Sequence, residues 1–220
     1  MARSLEALLD RSIDYAGLFP PAALPLQRVL ANYETYLRGP HARFLNRLVT
    51  RESIGDGYER APNGAIYREA LDPVSGEFAK IRTGGLAPEQ IPSVPAVAAF
   101  ICRQARDRRP FKATAGLHHP VRGVYPLTYE RDSPRAVMHG FLNVLLAAAF
   151  AWHGHEDLVE PILAEEDPAQ LRFMEELAIW RGSELTTGKI VLARCDFIHS
   201  FGSCSFEEPV RDLQALGFLA

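Results

Sequence analysis

The chain has 220 residues, 47% of them hydrophobic and 23% charged, with a net charge of −3. This is ordinary globular composition with enough apolar material for a sizeable core. It has no basic excess for nucleic acid, and its longest apolar run, VLLAAAFAW at 144–152, is too short to span a bilayer.

The opening MARSLEALLDRS reads as an amphipathic helix with Leu5, Leu8 and Leu9 on one stripe, and its charges do not fit a signal peptide. IDYAGLFPPAALP (13–25) starts as a short strand and ends in a Pro-rich turn. Residues 25–38 read as a helix with Val29, Leu30, Tyr33 and Leu37 on one side, and 43–50 as a strand. The stretch 51–76 is rich in Gly, Pro, Asn and Asp, with a short strand expected at 65–71. EFAKIRT (77–83) is strand-like. Ser93 can cap a helix in which Val94, Val97, Ala98, Ile101 and Ala105 recur at helical spacing, and RPFKATAG returns to strand. Strand, helix, strand with short links predicts a βαβ unit and hence a parallel pair. A long loop is expected at 116–134 and an almost wholly apolar helix at 135–152. Further helices are expected at 155–165, 167–181 and 186–194, then the strand DFIHSF, the loop GSCS and a last helix at 206–217.

Side chains alternate across a strand. Lys80 and Arg82 therefore share one face of EFAKIRT, and Lys112 and Thr114 one face of FKATA, with apolar residues opposite. A buried lysine costs several kcal/mol unless something compensates it. Neighbouring parallel strands with one polar face describe the inside of an α/β barrel or the ligand edge of an open sheet, with sites at the carboxyl ends. There the following glycines let backbone turn or approach a ligand. Two adjacent cations lower each other's pKa, which frees an amine for Schiff-base chemistry; alternatively they cradle an anion with Arg82, or snorkel to water as edge residues.

The strand ends resemble those of class I aldolases of the deoxyribose-phosphate type. In that family a K-x-x-T-G strand end carries the Schiff-base lysine and a second lysine on the next strand tunes it. Lys80 with Thr83 and Gly84 matches the first; Lys112, with Gly116 one position late, matches the second, 32 residues on. Only 79 residues precede Lys80, too few for the family's roughly five preceding βα units of about 30 residues each. Over its whole length the chain resembles an uncharacterised, mainly bacterial family with the signatures IDYAGLFPPA, KIRTGG, FKATAGLHHP, HGFLN and SFGSCSFEEP, all present in order. That resemblance implies no activity.

His118 and His119 follow the second lysine strand and are candidates for general acid–base work. On extended backbone they point opposite ways, so one would face a given site. His139 and Asn143 stand four apart on the apolar helix and read either as a ligand-contacting pair or as a structural hydrogen-bonded pair. A metal site from His118, His119, His139, His199 and Asp14 has no support in their spacing. In the terminal loop, Gly202, Ser203, Cys204 and Ser205 precede a helix whose free N–H groups favour an anion. Ser205 with Glu208 fits a capping box, and the helix end would lower the Cys204 pKa. Asp14, ending the first strand, either balances the lysines or is a turn residue.

The expected fold is a single α/β domain over 1–220, a reduced or irregular (β/α) barrel-like parallel sheet with additional helices. The leading function is an enzyme acting on a small anionic carbonyl compound, lyase- or aldolase-like. Lys80 would be the amine nucleophile or an electrostatic anchor, Lys112 its tuner, Arg82 and Thr114 the substrate's anchors, and His118 or His119, with Asp14, the proton carriers. The alternatives are a non-catalytic small-anion binding domain and a degenerate enzyme kept as a structural subunit. No cofactor, nucleic-acid partner or membrane partner is expected, and a homo-oligomer stays open. Cys102, Cys195 and Cys204 cannot all pair and show no C-x-x-C or zinc spacing, which points to a reducing, cytoplasmic setting.

Overall fold

The computed structural model describes residues 1–50, 58–60, 66–68 and 77–219. In chain order its elements begin with α1 (Arg3–Leu9), β1 (Ile13–Tyr15), α2 (Leu26–Arg38), β2 (Leu45–Leu48), β3 (Tyr58–Arg60), β4 (Ile66–Arg68) and β5 (Glu77–Arg82). They continue with α3 (Val94–Arg106), β6 (Phe111–Thr114), β7 (Gly123–Pro126), β8 (Arg135–Met138), α4 (Phe141–Trp152) and α5 (Val159–Ala164). Last come β9 (Leu171–Phe173), β10 (Leu177–Trp180), β11 (Ser183–Thr186), α6 (Thr187–Asp196), β12 (Ile198–Ser203) and α7 (Glu207–Ala215).

The main sheet has the order β2-β1-β12-β6-β5-β4-β3. Every neighbouring pair from β2 to β4 is parallel, and β3 joins antiparallel. The expected βαβ unit is β5-α3-β6. Ser93 caps its helix, its hydroxyl accepting from the Ala96 N–H at 3.3 Å. Helices α1, α3, α4, α5 and α6 pack against one another. The sheet meets this apolar side through Ile13, Phe111, Ala113 and Phe201, all fully buried. Helix α4 is buried along nearly its whole length, and Phe141 stacks on Phe201 with ring centroids 4.9 Å apart. The architecture is thus mixed α/β on a parallel sheet. Closure into a full barrel is not present among the described residues.

Three expected helices change. Residues 135–138 form β8, paired antiparallel with β7 inside the expected loop 116–134, and α4 starts only after Gly140. A Cβ on Gly140 would stand 2.5 Å from the Val121 backbone, so glycine is needed where this loop crosses the helix start. The expected helix 155–165 shortens to a 3-10 turn and α5. Residues 167–181 form β9 and β10, which pair antiparallel with each other and with β11. Arg181 and Gly182, both at positive φ (45° and 88°), make the two-residue connection from β10 to β11, a geometry that matches the twist of paired strands. This hairpin overrides the helix-like spacing of the flanking residues. The short strand expected at 65–71 is β4, while the rest of 51–76 apart from β3 lies outside the described residues.

Candidate functional site

The polar face of the sheet holds a buried ionic cluster. β5 and β6 pair with Lys80 directly opposite Lys112 and Arg82 opposite Thr114, so all four side chains leave the same face. Lys112 is 1% exposed and its Nζ donates to Asp14 Oδ2 at 2.5 Å. Asp14, fully buried, also accepts from Arg47 (3.0 Å) and Ser200 (2.8 Å) on Oδ2 and from Asn46 (2.7 Å) on Oδ1. Burial alone would raise the Asp14 pKa. The charges of Lys112 and Arg47, with the Lys112 and Ser200 hydrogen bonds, outweigh it and hold the carboxyl below its usual range. Asp14 is therefore the counter-ion of the lysine strand. With four donors already on it, it has little capacity left to take a proton from substrate. Lys80 is half-buried and Arg82 exposed.

The glycines after the two strands serve each other. A Cβ on Gly116 would lie 2.6 Å from Gly84 Cα, and one on Gly84 2.8 Å from Gly116 Cα; Gly116 also has φ +74°. The Thr83 hydroxyl completes the contact by donating to the Ala115 carbonyl at 2.6 Å. The two loops thus touch backbone to backbone. Gly116→Ala is expected to destabilise the fold by about 2 kcal/mol or more from positive-φ strain and clash together. A urea midpoint unchanged by the substitution would show that the loops need not touch.

A second polar cluster forms at the carboxyl edge. His118 Nδ1 meets Glu208 Oε2 at 3.1 Å and His119 Nδ1 meets Asp212 Oδ2 at 2.6 Å. Glu208 and Asp212 lie four apart in α7, so both histidines face this one helix, contrary to the expectation that they diverge. The reason is that the chain after β6 is turned, not extended, beginning at Ala115 (φ 57°) and Gly116. His119 also stacks on Tyr125, centroids 3.6 Å apart. Tyr129 donates to Glu208 Oε2 at 2.9 Å and lies 3.5 Å from Cys204 Sγ. Burial would raise Glu208, but the His118 hydrogen bond and charge, with the Tyr129 bond, pull it below its usual value. Burial pushes His119 down despite Asp212. It pushes the Cys204 thiol up, which reverses the expectation of a lowered pKa.

The remaining expected site residues are used by the backbone or lie deep in the fold. Asn143 accepts from the Arg122 N–H (3.0 Å) and donates to the Ile162 and Glu165 carbonyls (2.8 and 2.9 Å). His139 precedes α4, so it does not share a helical face with Asn143; its Nε2 contacts the Pro92 carbonyl at 2.8 Å. Ser205 caps α7, its hydroxyl accepting from the Glu208 N–H at 3.1 Å, while the Glu208 side chain turns to His118, leaving half a capping box. Ser203 is buried with its hydroxyl 3.4 Å from His118 Nδ1. Gly202 lies beside Thr114, opposite Asp14 in register. Among the described residues no three His, Cys, Asp or Glu side chains are grouped to hold a metal, and no helix is long and apolar enough to cross a membrane.

Sequence reasoning did not single out Asn46, Arg47, Ser200, Glu208 as a histidine partner, Asp212 or Tyr129. The i, i+4 spacing of Glu208 and Asp212 on an amphipathic helix was the one local signal for the last cluster. Nor did it expect an opening at the amino ends of the strands, where a cavity of about 740 Å³ is lined by Arg11, Asn46, Arg47, Phe78, Arg194 and His199, among others. Asn46 and Arg47 connect this cavity to Asp14.

No family model, curated protein or solved structure matches this chain.

Proposed function

We propose that this chain is an enzyme acting on a small anionic carbonyl compound through an imine on Lys80. The observation that carries the reading is the register: Lys80 stands opposite Lys112, whose ammonium is buried on Asp14. Lys112 and Arg47 together bring two positive charges to the single Asp14 carboxylate. A second ammonium on the adjoining strand opposes protonation of Lys80 and favours its neutral, nucleophilic form. In the reaction the Lys80 amine adds to the carbonyl carbon. The carbinolamine then loses water, and the resulting iminium accepts the electron pair released when an adjacent C–C or C–H bond breaks. Lys112 is the fixed, charged neighbour. The His118–Glu208 and His119–Asp212 pairs move protons at the carboxyl edge, the carboxylates orienting the imidazoles. The strand order supports a reduced barrel opened between β2 and β3, with the lysine face inward.

Borohydride reduction in the presence of pyruvate, glyoxylate or acetaldehyde, read by intact mass and peptide mapping, tests this. A reduced adduct on Lys80, absent from Lys80→Met at unchanged melting temperature, is expected. Absence of any adduct, or an adduct that persists in Lys80→Met, would overturn the imine reading.

A further inference from the structure

The cavity at the amino ends of the strands is built around guanidinium groups. Among the described residues its lining carries five arginines against three carboxylates. Arg43 is engaged with Glu6 and Asp10, and Arg47 with Asp14. Among the described residues, Arg3, Arg11 and Arg194 have no ion-pair partner, against one such lining carboxylate, Glu176.

Arg194 is the telling member. It is only 9% exposed. Its guanidinium donates to the Ile198 carbonyl, and to those of Asp10 and Arg11 at 3.0 and 3.3 Å, while its Nε has no acceptor. Neutral carbonyls satisfy hydrogen bonds but carry no countercharge; the Asp10 and Asp14 carboxylates favour the cation from a distance without a direct ion pair, and burial outweighs them. Burial brings its pKa down to about 10. His199, on the same cavity, is pushed down to about 4 by burial and then by the fields of Arg194 and Arg47. The surroundings thus favour negative charge, and the volume falls in the usual range for a small-molecule site.

We propose that this cavity binds a small oxyanion, a carboxylate or phosphate group, between Arg11, Arg47 and Arg194, with Phe78 and His199 as its wall. Guanidinium forks suit such groups because they donate two parallel hydrogen bonds. Phe78 packs edge-on to His199, centroids 5.4 Å apart, and lies two residues before Lys80 on the same strand face. A ligand here therefore abuts the lysine cluster from the amino edge. The site rests on the cavity and its charges, independently of imine chemistry at Lys80.

The test titrates the full chain at low ionic strength with inorganic phosphate and, separately, succinate, following the His199 ring resonances by NMR. Saturable binding that raises the His199 pKa and leaves the His41 resonances in place is expected. Response to phosphate alone assigns a phosphate site, to succinate alone a carboxylate site, and to both a shared oxyanion site. The double variant Arg3→Gln, Arg11→Gln changes two exposed side chains and should weaken binding about tenfold or more, since it removes the charge-assisted bond from Arg11 together with the nearby charge of Arg3. Arg194→Met should abolish binding if it folds. No saturable binding, or binding undiminished in the double variant with His199 unmoved, would overturn the proposal. Adduct formation at Lys80 without anion binding would remove this site and leave the imine reading standing.

Discussion

Asp14→Asn lowers the free energy of unfolding by about 3–5 kcal/mol, the range for breaking a buried ion pair by removing one partner. The amide leaves the Lys112 ammonium, 1% exposed, and the neighbouring Arg47 guanidinium without the carboxylate that both contact. Lys112→Met should cost less, because Asp14 keeps Arg47, Asn46 and Ser200 as donors. The double variant Asp14→Asn, Lys112→Met should recover part of the loss, with a coupling energy above about 1 kcal/mol. Urea unfolding of the four proteins measures this. Additive effects would show that the lysine is held by something other than this carboxylate. The acid dependence has a definite sign. Asp14 has a folded pKa below its unfolded value, so its contribution is present at neutral pH and is lost as pH falls through the folded value.

Stability also falls between pH 6.5 and about 4 through His199. Its pKa drops from 6.5 in the free side chain to about 4 in the fold, chiefly by burial and then by Arg194 and Arg47. In that window the unfolded chain binds the proton and the folded chain does not, so acid favours unfolding, by about 3 kcal/mol across the whole interval. His119 and His139 are lowered as well and add to the same slope. His199→Gln should remove its own share, so that the variant loses less stability than the parent from pH 7 to pH 4.5. Equal slopes in the two proteins would show that the imidazole is solvated in the fold. A ligand anion in the adjoining cavity should flatten the parent's slope, since it raises the folded-state pKa.

The two lysine strands were legible because period two is a local property. Alternation in EFAKIRT and FKATA places Lys80 and Lys112 on like faces, and the short helical link with its Ser93 cap makes the strands parallel neighbours. Residues 135–138 and 171–180 were misread because short apolar stretches fit helix and strand alike, and their strand partners decided between them. The left-handed Arg181–Gly182 pair was the available local clue to the second case.

By itself, then, the sequence determined an α/β chain with a polar lysine face, a capped βαβ step and histidines at a strand's carboxyl end, all read from periodicity and caps within consecutive elements. Only the tertiary structure decided which charges meet. Asp14 reaches Lys112 across 98 positions, His118 reaches Glu208 across 90, and the arginine cavity gathers residues from 3 to 199. Those pairings follow from β12 inserting between β1 and β6. Strand order is selected by the burial of the whole sheet against its helices, a sum over many weak contacts that no local spacing records.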